Sequence, residues 1–389
     1  MKVALLTTDS REHFKDYSNP QPYFGAAPEA LLEGFRLMPD AIELHVVSCL
    51  QQSPVSSPEK LADNIHYHPL VVSKLGWMRT GYQGCVRAVR RKLRELKPDV
   101  VHGQGTEREC AISAALSGFP SVVTVHGVMR AIHELGGEHR NGYYWFAKHL
   151  ESFSLGRVGG VISISPYVDS LVAALTPKTW FIPNALQEFF FADSSRPKRR
   201  NGPARIVNVG VVSPRKRQLE LLTELGHLRD DSPFEVTFVG RTSPGDPYAA
   251  RFHSLRRKLE TPHHKFSHIE SLPSAAFLEL YDDSDAMIHF SSEESFGLTF
   301  AEALARNLVL FASDVGAIRQ IGKGLPNCRI FDPQDFTELR SNLREWLVTN
   351  QHLEPREATP SRMIAERYHP EVIAARHLNV YREVADLPS

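Results

Sequence analysis

Residues 281–305 read YDDSDAMIHFSSEESFGLTFAEALA, and this stretch indicates the fold more clearly than any other part of the chain. The apolar run at residues 286–290 has the length and composition of a buried strand. A polar turn follows at residues 291–295, and a helix is predicted to begin near Gly297. A buried strand that leads through a short turn into a helix is typical of an α/β fold.

The same alternation of short apolar runs and helical segments extends on both sides of this stretch. Such buried runs, alternating with helices, predict mainly parallel sheets that are covered on both faces. The further strands predicted are residues 3–6, 44–47, 100–102, 122–125, 161–164, 180–182, 206–209, 236–239, 309–311 and 329–331.

A segment without apolar periodicity divides the strands into two groups. Residues 192–205, ADSSRPKRRNGPAR, contain two prolines and a cluster of positive charge, which favours a linker. The sequence therefore predicts one Rossmann-like domain at residues 1–191 and a second at residues 206–368. A helix at residues 369–389 is expected to pack back toward the first domain, with Pro370 in its first turn. Its inward-facing residues recur at helical spacing: Ile373, His377, Val380, Tyr381 and Val384.

Composition excludes several classes of protein. Among the 389 residues, 45 basic side chains balance 45 acidic ones, so the chain has no net charge that would attract nucleic acid. Nucleic acid is therefore not expected as a partner. The four cysteines are scattered and include no CxxC pair, which favours reduced thiols in a cytoplasmic protein. The first apolar run ends after Leu6, too early for a secretory signal, and no segment reaches the roughly 18 apolar residues of a membrane span.

One basic segment leaves two interpretations open. From Lys74 to Lys97 the chain holds eight basic residues and one acidic residue, Glu95. Such an amphipathic helix could lie on the inner face of an anionic membrane. The alternative, which we favour, is an apolar stripe that faces the core, with the basic face in water. The stripe consists of Val86, Val89, Leu93 and Leu96.

The helix start in the opening stretch is a candidate anion site. Backbone N–H groups in the first turn of a helix lack intrahelical acceptors, so a diphosphate could bind over Phe296, Gly297 and Leu298. Glu294 and Glu302 stand eight positions apart, and carboxylates suit the paired hydroxyls of a sugar or ribose. From spacing alone, an acid at a helix start and a solvated surface acid explain the two glutamates equally well.

These residues resemble a known family. The two glutamates fit the E-x7-E signature of the retaining family 4 glycosyltransferases, which have the GT-B architecture of two Rossmann-like domains that face each other across a cleft. The resemblance extends over nearly the whole chain through strings in matching order. They are KPDVVHG at residues 97–103, VVTVHG at 122–127, WFIPN at 180–184, IVNVGVVSPRKRQ at 206–218, FVG at 238–240 and ASDVGAIRQI at 312–321.

The resemblance implies a role for each matching residue. Glu294 would bind hydroxyls of the donor sugar, Glu302 the ribose hydroxyls and Lys216 the diphosphate, while His126 would face the transferred sugar. The loop at Gly25 would close against the donor phosphate. The catalytic residues implied are His126, Lys216 and Glu294. The donor-binding residues implied are Gly25, Gly210, Arg215, Lys216, Glu294, Phe296, Gly297, Leu298 and Glu302.

The implied activity is transfer of a sugar from a nucleotide-diphosphate sugar to a glycan, lipid or small-molecule acceptor, with retention of configuration. The donor binds in the second domain and the acceptor in the first. No metal or other cofactor is expected. Asp283 and Asp285 form a DxD pair, but they lie where a helix ends and a buried strand begins, so we discount a metal there.

One departure from the family pattern keeps two alternatives open. The family usually has an arginine directly after the glycine that corresponds to Gly210, and this chain has Val211. Arg215 and Arg217, on either side of Lys216, could replace that cation. A catalytically impaired nucleotide-sugar-binding protein is therefore one alternative, and a GT-B sugar-nucleotide epimerase is the other.

Overall fold

The computed structural model describes residues 1–134, 141–192, 202–228, 232–349, 351 and 358–386. The chain forms two compact units. The amino-terminal unit comprises Met1–Glu188 together with Tyr368–Ser389, and the carboxy-terminal unit comprises Phe189–Arg367. Within the predicted linker, residues 193–201 lie outside the described residues, and a strand begins at Ala204.

Each unit is built on one sheet. The strands of the amino-terminal unit are β1 (Lys2–Leu6), β2 (Glu43–Leu50), β3 (Lys60–Ala62), β4 (Ile65–Val71), β5 (Val100–Gln104), β6 (Ser121–Val125), β7 (Gly160–Ser163) and β8 (Thr179–Phe181). Those of the carboxy-terminal unit are β9 (Ala204–Val209), β10 (Phe234–Val239), β11 (His264–Ile269), β12 (Ala286–His289), β13 (Val309–Ser313) and β14 (Cys328–Phe331).

The described helices cover the faces of these sheets. In chain order they are α1 (Ser10–Phe14), α2 (Ala26–Arg36), α3 (Gln83–Leu96), α4 (Glu109–Ala115), α5 (Met129–Glu134), α6 (Gly142–Leu155), α7 (Pro166–Val172), α8 (Gln218–Gly226), α9 (Pro247–Leu259), α10 (Ser274–Asp283), α11 (Leu298–Ala305), α12 (Ile318–Ile321), α13 (Phe336–Val348), α14 (Thr359–Tyr368) and α15 (Pro370–Ala385).

The strand order confirms the predicted fold class. The sheet of the amino-terminal unit runs β3-β4-β2-β1-β5-β6-β7-β8, and that of the carboxy-terminal unit runs β11-β10-β9-β12-β13-β14. Neighbouring strands pair in parallel, except for the antiparallel pair of β3 with β4. In each sheet the order reverses beside the first strand of the unit, at β1 and at β9, which is the topological switch point of a doubly wound fold.

Strands β3, β4 and β11 were absent from the sequence prediction. Histidines and a proline interrupt the apolar run of β4, which reads IHYHPLV, and charged or polar residues alternate in β11, which reads HKFSHI. Both strands lie at or beside an edge of their sheet, where continuous apolar runs are not required.

Helix α15 belongs to the amino-terminal unit and packs on α2. The Tyr381 ring stacks on Phe35 with 5.9 Å between ring centroids, and both side chains are buried. Gly34 permits this close approach, because a Cβ atom there would lie 2.2 Å from the carbonyl oxygen of Pro370. The predicted carboxy-terminal docking helix is therefore present, with Ile373, His377 and Val384 buried as expected.

Candidate functional site

The switch point of the carboxy-terminal sheet brings together two loops that the sequence singled out. Gly210 follows β9, and the segment 290–297 follows the neighbouring strand β12. Ligands of open α/β sheets bind outside the carboxyl ends of the strands at such a point. The fold therefore places the loop of Lys216 and the loop of Glu294 in one ligand-binding position.

Lys216 and Glu294 form an ion pair at this edge. The Lys216 Nζ atom lies 2.5 Å from Glu294 Oε2, and the two side chains are 14% and 15% exposed. Burial alone raises the pKa of Glu294, but the Lys216 ammonium and His289 outweigh it and hold that pKa well below its ordinary value. Glu294 is therefore a carboxylate throughout the physiological pH range, and Lys216 is the cation beside it.

His289 is a member of this site that the sequence analysis missed. Its Nε2 atom lies 3.4 Å from Glu294 Oε2, and the ring is buried. Burial and then the charge of Lys216 lower the pKa of His289, so the ring is neutral at pH 7. Its position as the last residue of strand β12, five residues before Glu294, is the sequence signal that could have identified it.

Backbone contacts hold the Lys216 loop. The buried Gln218 side chain donates from Nε2 to the carbonyls of Gly210, at 3.2 Å, and of Val211, at 3.1 Å. Ser292, in the loop after β12, donates both its backbone N–H (2.8 Å) and its hydroxyl (3.1 Å) to the Arg215 carbonyl. These bonds connect the two loops and fix the backbone that carries Lys216.

Two glycines allow close packing around the Glu294 loop. Gly316, after β13, has φ +57°, and a Cβ atom there would lie 1.7 Å from the carbonyl oxygen of Glu294. Gly297 caps the start of α11 with φ +98°, and a Cβ atom there would lie 2.6 Å from Ile318 Cδ1. The structure thus packs the predicted anion-binding helix start and the Glu294 loop tightly against α12.

Glu302 lies in the second turn of α11 and is buried. The Tyr281 hydroxyl lies 3.4 Å from Glu302 Oε2 and 3.3 Å from the Thr299 carbonyl. Burial raises the pKa of Glu302 to about 7, so the carboxyl is partly protonated at neutral pH. Hydroxyl groups that donate hydrogen bonds to the charged form of such a buried acid stabilise that form.

The structure also locates the cations that could replace the arginine absent at Val211. Arg215 pairs with Glu293, with Nη1 3.1 Å from Oε2, and remains 40% exposed. Arg217 donates from Nη1 to the Pro333 carbonyl. Arg215 therefore stays on the loop that approaches the Glu294 segment, while Arg217 is held by the β14–α13 loop.

In the amino-terminal unit, Gly25 caps the start of α2 with φ +90°, at the end of the segment that follows β1 and contains the short helix α1. A buried ion pair anchors the first part of this segment, because Arg11 Nη2 lies 2.7 Å from Asp9 Oδ2 and both side chains are at most 1% exposed. The Tyr67 hydroxyl donates to the same carboxylate oxygen at 2.6 Å. Sequence analysis did not identify this network.

His126 follows β6 and joins a buried hydrogen-bond chain. Burial lowers its pKa to about 4, against a bond to Asn184 that raises it, so the ring is neutral at pH 7. Its Nε2–H donates to Gln104 Oε1 at 2.7 Å. Gln104 Nε2 in turn lies 3.3 Å from His102 Nε2, and His102 Nδ1 lies 2.6 Å from the Tyr381 hydroxyl.

The basic segment Lys74–Lys97 forms helix α3 and the turns before it. Val86, Val89 and Leu93 are buried in the amino-terminal unit, while basic side chains of α3 are exposed. Three of the four stripe residues thus face the core and Leu96 is half-buried, which agrees with the interpretation we favoured. Among the described helices, none has the length and apolar character needed to cross a membrane.

The DxD pair also occupies a structural position. Asp285 Oδ2 accepts a hydrogen bond from the Arg205 backbone N–H at 2.9 Å, immediately before β12 begins. Asp283 is the last residue of α10. As the sequence predicted, Asp283 ends a helix and Asp285 directly precedes a strand.

Comparison with protein-family models identifies the class. Residues 190–362 match the model described as Glycosyl transferases group 1, and residues 36–187 match the model described as Glycosyltransferase Family 4. Together with the two doubly wound units, these matches identify the chain as a glycosyltransferase of the GT-B superfamily. A search of curated protein sequences found no match for the chain.

Solved structures with the same fold include several whose descriptions name a bound UDP or UDP-sugar. Sucrose-phosphate synthase from Thermosynechococcus elongatus superposes with a TM-score of 0.77 at 16% identity, covering 99% of each chain. HepE from Anabaena in complex with UDP-glucose gives 0.69 at 14% identity, over 98% of this chain and 100% of HepE. A structure described as trehalose-6-phosphate from E. coli bound with UDP-2-fluoro glucose gives 0.70 at 12% identity, over 100% of each chain.

Proposed function

We propose that the chain transfers a sugar from a nucleotide-diphosphate sugar to an acceptor, with retention of anomeric configuration. The observation that carries the proposal is the convergence of Lys216 and Glu294 at the switch point of the carboxy-terminal sheet. One cation and one permanent carboxylate are the groups needed to bind a diphosphate and the hydroxyls of the sugar attached to it.

In this proposal Lys216 stabilises the charge that develops on the leaving diphosphate. A lysine ammonium has three donors, so it can bind a phosphate oxygen and keep its contact with Glu294. The backbone of Phe296, Gly297 and Leu298 at the start of α11 adds N–H groups and the positive end of the helix dipole. No metal ion is required for this stabilisation.

The two glutamates take different parts of the donor. Glu294, held as a carboxylate, accepts hydrogen bonds from hydroxyls of the sugar. Glu302 accepts from the ribose hydroxyls, which supply donors to a buried carboxyl whose pKa is raised to about 7. Gly210 and Arg215 lie on the loop that carries Lys216, and we assign them to the diphosphate as well.

For the amino-terminal unit we propose the roles implied by the resemblance. His126 contacts the transferred sugar as a neutral ring, since its pKa is lowered to about 4. The loop that ends at Gly25 closes against the donor phosphate. The acceptor is a glycan, lipid or small molecule, and UDP-sugars are the first donors to test because HepE was solved with UDP-glucose.

Substitution of the central ion pair tests the proposal. Lys216→Ala and Glu294→Ala should each reduce the rate of sugar transfer at least tenfold, because each removes a group that contacts the donor at the reacting centre. The rate is measured with radiolabelled UDP-sugars and a panel of acceptors, and circular dichroism confirms that each variant is folded.

Another lysine–glutamate pair in the same unit supplies the control. Lys265 Nζ lies 3.2 Å from Glu235 Oε1 on adjacent strands β11 and β10. Lys265→Ala and Glu235→Ala should leave the transfer rate unchanged. Full turnover in either Lys216→Ala or Glu294→Ala would contradict the site assignment, and complete conversion of donor without acceptor would instead indicate an epimerase.

A further inference from the structure

Three side chains with metal-binding atoms meet at the β11 edge of the carboxy-terminal unit. His253 lies on α9, His268 on β11 and Glu270 directly after β11. One ligand atom from each residue lies within 4.8 Å of the other two. Fifteen positions of sequence separate His253 from His268, so the packing of α9 against β11 creates this cluster.

His268 is oriented as a metal ligand usually is. Its Nε2–H donates to the Gly240 carbonyl at 2.8 Å, which fixes the ring and its tautomer. Metal-binding histidines characteristically donate their second N–H to a carbonyl or carboxylate in this way. The bond leaves Nδ1 of His268 with the lone pair that a metal ion accepts.

Glu270 is also held in place. Thr242 donates its backbone N–H to Glu270 Oε2 at 2.8 Å and its hydroxyl to Glu270 Oε1 at 2.5 Å. Each carboxylate oxygen has a second lone pair available for a metal.

His253 completes the set, because its ring packs edge-on against the ring of His268. The two rings lie 5.0 Å apart at an angle of 70°. The nearby Arg256 donates to Glu260 and to the Phe266 carbonyl, so its charge is held by other partners.

We propose that His253, His268 and Glu270 bind a zinc ion, with water as the fourth ligand. Two imidazoles and one carboxylate are a donor set found in zinc sites, and the ligand atoms of a tetrahedral zinc ion lie roughly 3.4 Å apart. Small rotations of these side chains therefore suffice to bring the three ligands onto one ion.

The ion would connect α9 to the end of β11. It would also reinforce the hydrogen bond from His268 to the Gly240 carbonyl. That residue packs closely on the donor-site loop, because a Cβ atom at Gly240 would lie 1.9 Å from the Gly210 carbonyl oxygen. The site is structural and separate from the groups assigned to sugar transfer. It goes beyond the proposed function and does not depend on it.

Metal titration of the full-length chain tests the proposal. After chelator treatment and dialysis, calorimetry with Zn²⁺ measures the affinity, and visible absorption with Co²⁺ reports tetrahedral coordination by nitrogen and oxygen. His253→Ala and Glu270→Gln should each weaken Zn²⁺ binding at this site at least tenfold and abolish the Co²⁺ absorption. His263→Ala, at an exposed histidine of the α9–β11 connection, should retain both signals.

Two results would overturn the proposal. One is the absence of Zn²⁺ binding to the wild-type chain at 100-fold molar excess of metal over protein. The other is unchanged binding in both ligand variants, which would place the metal elsewhere. Circular dichroism verifies that the variants are folded, and no donor is present in these measurements, so their outcome is independent of the transfer assay.

Discussion

At the scale of single residues, Glu302 is the side chain whose environment most changes its chemistry. Its carboxyl is buried beside the Tyr281 hydroxyl, and burial raises its pKa from 4.5 to about 7. Between pH 4.5 and 7 the folded protein therefore binds more protons at this residue than the unfolded chain does. The free energy of unfolding must fall as the pH rises through that window.

Glu302→Gln should remove this pH dependence. At pH 8 the free energy of unfolding of the variant is expected to exceed that of the wild type by on the order of 3 kcal/mol, and at pH 4.5 the two should differ little. Urea denaturation followed by circular dichroism at the two pH values measures the effect. Glu345→Gln, at an exposed position of α13, is the control and should show no such difference. Equal stability of Glu302→Gln and wild type at pH 8 would refute the raised pKa.

Residue environment also distinguishes two histidines, one in each unit, from ordinary surface histidines. Burial lowers the pKa of both His126 and His289, so both rings are neutral at pH 7. A neutral ring can donate one hydrogen bond and accept another. His126 uses its Nε2–H for Gln104, and His289 lies beside the Glu294 carboxylate.

At the scale of elements, the site depends on how closely the turns after the parallel strands approach one another. The turn after β13 lies against the turn after β12 at Gly316 and Glu294, where no side chain fits between the two backbones. The Ser313 hydroxyl donates to the Ser291 carbonyl at 2.7 Å and connects the same two turns. Glu294 is thus positioned by its neighbouring turn as well as by Lys216.

Gly316→Ala tests this packing. The new methyl group would lie 1.7 Å from the Glu294 carbonyl oxygen, so the Glu294 backbone must shift, and sugar transfer should fall at least tenfold. Gly245→Ala is the matched control, because Gly245 also has a positive φ, +77°, but no atom within 4 Å of an added Cβ. Both variants should lose about 1–2 kcal/mol of stability, because alanine is strained in the left-handed backbone conformation. A transfer rate in Gly316→Ala that equals the rate in Gly245→Ala would refute the packing argument.

At the scale of the whole molecule, the chain leaves the amino-terminal unit after Glu188 and returns to it at Tyr368. Helix α15 then fills the core of that unit with Tyr381, which stacks on Phe35 and bonds to His102. The folding of residues near the start of the chain therefore depends on a helix near its end. Neither segment can bury its apolar face without the other.

Tyr381→Ala should consequently destabilise the amino-terminal unit by about 3–5 kcal/mol, the usual cost of removing a fully buried aromatic ring. Tryptophan fluorescence during urea denaturation measures this, because three of the four tryptophans, Trp77, Trp145 and Trp180, lie in that unit. Arg382→Ala, at the next and exposed position of the same helix, should leave the midpoint unchanged. Equal midpoints for the two variants would show that α15 is dispensable.

The sequence by itself predicted the two parallel α/β units and the carboxy-terminal helix. It also singled out Gly210, Lys216, Glu294 and Glu302 as candidate site residues. These features are local, because short apolar runs rich in Val and Ile and bounded by turn residues favour buried strands whatever their partners. The match to the E-x7-E pattern likewise depends only on spacing along the chain. Strands β3, β4 and β11 were not predicted, because strands at or beside the edge of a sheet need no continuous apolar run.

Only the tertiary structure decided which distant residues touch and which are withdrawn from water. Lys216 stands beside Glu294, 78 positions further along the chain, because β9 and β12 are neighbours in the sheet, and His253 meets His268 because α9 packs on β11. The raised pKa of Glu302 and the lowered pKa of His126 follow from burial. Contact and desolvation are properties of atoms brought together from distant positions in the chain, so no local pattern of residues encodes them.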